Sequence, residues 1–103
     1  GNLVNLEVLR VDNNHLEVLY DTLGQLSSIT LLDLSFNRLE EVPMQIYDLT
    51  TLEYLALDHN YIMLIHGAIS SLTGCRSLFL SHNVIRIFPD SVGSLRKLEQ
   101  LSI

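Results

Sequence analysis

Apolar residues recur along this chain in a fixed comb. Leu6, Leu9, Val11, Asn14 and Leu16 stand at spacings of three, two, three and two residues. The same comb returns at Ile29 to Leu39, at Leu52 to Ile62 and at Cys75 to Ile85, and a fifth copy opens at Leu98 and runs to Ile103. The starts at 6, 29, 52, 75 and 98 are each 23 residues apart, with no insertion or deletion. Around Leu9-Arg10-Val11 the alternation has period two, which sends Leu9 and Val11 to one face and Val8, Arg10 and Asp12 to the other. So short a strand must pair with its next copy, about 4.8 Å away. All copies run the same way, so the sheet is parallel and the return segments lie behind it.

The return half carries Val42, Ile46 and Leu49 at spacings of three to four, which predicts a 3₁₀ or short helical turn. Pro43 and Pro89 are expected in the first position of that turn, with φ preset; Tyr20 and His66 hold the same place in the other copies. One copy cannot bury its own apolar face, so stacking creates the core.

In full, the pattern is L-x-x-L-x-L-x-x-N-x-L followed by x-x-L-P-x-x-I-x-x-L. Over the whole chain this resembles the leucine-rich repeat. The 23-residue form with its L-P-x-x-I half is similar to the repeats of intracellular Ras-associated scaffolds, LAP-type polarity scaffolds and fungal adenylate cyclases. The resemblance implies an α/β solenoid, a right-handed superhelix with short parallel strands on its concave face and 3₁₀ or helical turns on its convex face. It divides the chain into a partial unit 1–5, repeats 6–28, 29–51, 52–74 and 75–97, and a partial unit 98–103.

Asn14, Asn37, Asn60 and Asn83 close each strand at one position. The chain leaving a strand has backbone groups without ladder partners, and burying them unpaired is costly. A carboxamide offers donor and acceptor together, so these four are expected to form a structural ladder. Cys75 stands where Leu6, Ile29, Leu52 and Leu98 stand, and reads as a small core residue.

Composition narrows the rest. One domain fits in 103 residues, and 48% hydrophobic against 17% charged residues excludes disorder. No apolar run approaches the roughly 18 residues of a membrane span. A net charge of -6 with six scattered basic residues argues against a nucleic-acid surface. A single cysteine and the lack of any Asn-x-Ser/Thr sequon point to a reducing, cytoplasmic setting, with an extracellular one left open.

Catalytic patterns are not expected. No G-x-S-x-G or phosphate-binding glycine loop is present, and the serines lack a base and an orienting carboxylate. His59 and His82 share one repeat position, which places them about 5 Å apart. Asn13 and Phe36 fill that position elsewhere, so no metal site is expected, nor any cofactor or small-molecule substrate.

What remains is a binding surface for a protein partner. Its outward rows are Val8, Arg10 and Asp12; Leu31, Asp33 and Ser35; Tyr54, Ala56 and Asp58; and Ser77, Phe79 and Ser81, with Gln100 and Ser102 opening a fifth. Phe36, His59 and His82 flank these rows at the rim. Leu31, Tyr54 and Phe79 are expected to run diagonally across the strands, ringed by Asp12, Asp33 and Asp58, as aromatic anchors ringed by polar groups do in hot spots. The strand area is only about 230 Å², against about 800 Å² per partner in a standard interface. The chain is therefore expected to be an internal piece of a larger site, with both core edges open, inside a scaffold or signalling protein. The alternatives are the ligand-binding part of a receptor ectodomain and the regulatory part of a multidomain enzyme.

Overall fold

The computed structural model describes residues 5–11 and 23–103. Five three-residue strands, β1 (Val8–Arg10), β2 (Leu31–Asp33), β3 (Tyr54–Ala56), β4 (Ser77–Phe79) and β5 (Gln100–Ser102), form one parallel sheet in sequence order. The register follows the 23-residue period throughout, for instance Leu32 opposite Leu55 and Leu55 opposite Leu78. Behind β1 to β4 the chain returns through 3₁₀ turns, at Leu23–Gln25, Met44–Asp48, Gly67–Ser71 and Asp90–Ser94. No helix among the described residues is long and apolar enough to cross a membrane.

The comb is the core. Ile29, Leu32, Leu34, Ile46, Leu52, Leu55 and Ile62 are all fully buried, and Cys75 joins them. Cys75 Sγ donates weakly to the carbonyl of Ser77 at 3.4 Å, and burial pushes the thiol up from its ordinary pKa. Deep burial and a disfavoured thiolate make it a core residue.

Pro43 and Pro89 sit one residue earlier than the sequence predicts. Each is the extended residue just before its 3₁₀ turn, with φ/ψ of -54°/130° and -76°/146°. At the same place His66 uses its side chain, the Nδ1 accepting from the Ala68 N–H at 2.9 Å. Proline makes no side-chain cap there and acts through its fixed φ alone. Tyr47 ties neighbouring turns together, its buried hydroxyl accepting from the His66 N–H at 3.2 Å.

Candidate functional site

The loops leaving β2, β3 and β4 are each held by their asparagine. Asn60 Nδ2 donates to the carbonyls of Leu34 (3.1 Å), Leu57 (2.9 Å) and Asp58 (3.3 Å), while its Oδ1 accepts from the Leu39 N–H at 3.0 Å. Asn83 repeats the arrangement one unit on, with Leu57, Leu80 and Ser81 as acceptors and the Ile62 N–H as donor. Asn37 donates to Val11, Leu34 and Ser35, and its Oδ1 has no partner among the described residues. Asn14 and Asp12 of the predicted set lie outside the described residues. Each amide thus reaches its own repeat and the one before it, which fixes the loops that frame the strand face.

The loop has a second feature that the sequence does not announce. Phe36, His59 and His82 adopt left-handed backbone, with φ of 58°, 59° and 57°. Such a conformation costs a side-chain-bearing residue about 1–2 kcal/mol. It turns all three rings the same way, and they stack: Phe36 on His59 at 4.2 Å and 10°, His59 on His82 at 4.1 Å and 12°. The shared repeat position predicts the proximity of His59 and His82; the stack needed the backbone. Ring-plane lone pairs in parallel planes do not converge, so the two imidazoles do not offer a chelate. No group of three metal-ligating side chains occurs among the described residues.

On the strand face Leu31 lies directly opposite Tyr54, and Phe79 lies one step further along the strand, opposite Ala56. The three therefore form a bent row and not the expected diagonal, because strand pairing sets Tyr54 against Ser77. Tyr54 and Phe79 still meet, their rings 5.2 Å apart and tilted by 54°. Both are half-buried, and Ala56 is buried beside them.

The polar residues of the face differ in how far they are satisfied. Asp33 Oδ1 accepts from the N–H and the hydroxyl of Ser35 at 3.0 and 2.6 Å, and its Oδ2 is 3.9 Å from Arg10 Nε. That ion pair is loose and solvated, so it contributes little. Asp58 is different: its Oδ1 is closed off from solvent and has no hydrogen-bond partner among the described residues. A buried carboxylate oxygen left unpaired is a costly state that a donor would relieve. Asp33 has Ser35 two residues on, where Asp58 has Asn60.

Compared with known proteins, residues 4–62 match the family model described as leucine rich repeat. Among curated proteins no relative matches. A solved leucine-rich repeat protein of Leptospira interrogans superposes over 96% of this chain at 26% identity and a TM-score of 0.86. The ectodomain of the receptor kinase SOBIR1 of Arabidopsis thaliana matches over 75% of the chain at 34% identity and a TM-score of 0.63. An internalin of Listeria monocytogenes matches over 79% at 23% identity and a TM-score of 0.58, a likeness of fold. The chain spans 25%, 43% and 30% of these three structures.

Proposed function

The chain belongs to the leucine-rich repeat family, and from that premise we propose that its strand face binds a protein segment as part of a larger scaffold or signalling protein. The repeat unit itself is non-catalytic, and folds of this family generally serve as protein-interaction surfaces. The observation that carries the finer reading is the Tyr54–Phe79 pair beside Asp58. Two half-exposed rings offer apolar contact, and the partly exposed Asp58 carboxylate beside them offers negative charge. A partner residue with an apolar stem and an N–H or cationic tip, arginine above all, satisfies both at once. Asp33 and Arg10 fix the register at one side, while Phe36, His59 and His82 form the rim.

The intracellular setting rests on the lone Cys75, the lack of sequons and the scaffold-like repeat length. A receptor ectodomain is the second reading, favoured by the likeness to the SOBIR1 ectodomain. Sequence flanking residues 1–103 in the parent separates them: a secretory signal with cysteine caps supports the ectodomain.

The test places a photo-crosslinking residue at Ser77, opposite Tyr54 on the strand that carries Phe79, and a control at Gln45 in a 3₁₀ turn. The expected result is one protein crosslinked in cells through position 77 and not through 45. Tyr54→Ala with Phe79→Ala should then weaken its binding about tenfold or more. Unchanged binding in the double variant would show that the face is not the site.

A further inference from the structure

One of the 3₁₀ turns is closed by a side chain whose acceptor a proton can remove. The first N–H groups of such a turn have no partner within it. The turns at Met44–Asp48 and Asp90–Ser94 are entered through Pro43 and Pro89, which supply a fixed φ and no side-chain cap. The equivalent residue before Gly67–Ser71 is His66, extended at φ/ψ of -71°/149°, and its Nδ1 accepts from the Ala68 N–H at 2.9 Å. Histidine Nδ1 stands where asparagine carries its Oδ1, so the ring does the work of an asparagine cap. A ring nitrogen accepts only while it holds no proton, however. Imidazole is the side chain that ordinarily changes charge between about pH 5 and 8.

The charged ring has a second place to go. On the flank between strands and 3₁₀ turns, beside Met63, His66 lines a groove of about 180 Å³ with Glu40, Glu41 and Tyr47. Neither glutamate has an ion-pair partner among the described residues. Tyr47 holds the backbone of residue 66, its hydroxyl accepting from the His66 N–H at 3.2 Å, with the two rings 6.0 Å apart. The other charges around it are Asp48 and Asp90 on the two neighbouring turns, Arg38 two residues before Glu40, and Arg86, whose N–H donates to the Met63 carbonyl. A protonated ring can therefore exchange the Ala68 N–H for a carboxylate of the groove.

We propose that His66 is a proton-operated cap. Neutral, it closes the turn Gly67–Ser71; protonated, it releases the Ala68 N–H and turns to Glu40 and Glu41. Acidification then loosens this one turn and places a cation in the groove beside it. The turns entered through Pro43 and Pro89 do not respond, so repeat 52–74 is the acid-sensitive unit of the stack.

Amide NMR from about pH 8 to about pH 5 tests it. The period supplies the controls, since Gln45 and Ser91 follow Pro43 and Pro89 as Ala68 follows His66. The Ala68 amide proton should shift upfield as the cap is lost, and its hydrogen exchange should rise towards that of a free amide at the same pH. Gln45 and Ser91 should do neither. His66→Asn supplies an acceptor that does not titrate, so it should hold the Ala68 amide across the whole range. His66→Ala should leave that amide free throughout. Glu40→Gln with Glu41→Gln should require more acid to release it. The residues changed are exposed, so folding should be retained, with circular dichroism at the upper pH to confirm it. An Ala68 amide that does not change over this range would overturn the proposal. So would a response that persists in His66→Asn, or one that Gln45 and Ser91 share. A glutamate double variant that titrates like the wild type would overturn the exchange with the groove.

Discussion

Replacing Asn60 with alanine probes the feature that holds the repeats in register. Asn60 is 5% exposed and makes four hydrogen bonds, three donated to carbonyls and one accepted from the Leu39 N–H. Alanine supplies none of them, and the loop is too closed for water to replace them all. A typical hydrogen bond contributes about 0.5–1.5 kcal/mol net, while a buried group left unpaired costs about 1–3 kcal/mol. The Leu39 N–H is the group with least alternative, since Leu39 is itself 4% exposed. Two of the three carbonyls belong to residues in or beside strands, and they share a single amide nitrogen, so their losses do not simply add. Together these give about 2–4 kcal/mol. That is a large share of the 5–15 kcal/mol that domains of this size hold. With a urea slope of about 1–3 kcal/mol/M, the unfolding midpoint should fall by about 0.7–4 M. Hydrogen exchange read at the Leu39 amide should lose its protection selectively, before the rest of repeat 29–51. Asn60→Asp is the control: it keeps an acceptor for Leu39 but turns a second oxygen towards three carbonyls, so it should be no better than alanine. An unchanged midpoint for Asn60→Ala, or full protection at Leu39, would refute the ladder as a source of stability.

Other consequences can be checked alongside. Cys75 should react with a thiol reagent only at the rate of unfolding in the native chain, and at once in urea; fast native labelling would contradict its burial. Burial raises the pKa of both Tyr47 and Cys75, so both hold their protons more tightly when folded. Their contribution is complete below their unfolded pKa values and is lost as pH climbs, so stability should decline from about pH 9 upwards. Tyr47→Phe should flatten the upper part of that decline in a pH series of thermal melts. At position 82 glycine should be tolerated better than alanine. His82→Gly relieves a φ of 57° while losing one stacked contact, whereas His82→Ala loses the contact and keeps the backbone cost. Equal stability of the two variants in urea would show that the left-handed turn stores no strain.

Much of this architecture follows from the sequence alone. Leu32, Leu55 and Leu78 face inwards because a period of two within a period of 23 allows no other stacking, and the parallel order of β1 to β5 follows from identical copies. The ladder asparagines were legible for the same reason: a polar residue recurring inside an apolar comb has to satisfy something buried. The prolines were misplaced by one residue, since a spacing of three to four does not say whether φ is fixed inside a turn or just before it.

Only the tertiary structure decided the rest, and in each case the cause is a relation between repeats. Strand register bends the row of Leu31, Tyr54 and Phe79. Left-handed backbone at three residues that are not glycine turns Phe36, His59 and His82 into one stack. Asp33 is satisfied by Ser35 two residues on, while Asp58, with Asn60 at the equivalent place, has an oxygen left over. The flank around Met63 is charged in repeat 29–51, at Arg38, Glu40 and Glu41, and largely apolar in the two repeats that follow, so no single repeat carries its pattern. A periodic sequence specifies what every copy shares; the differences between copies acquire meaning only when the fold sets them side by side.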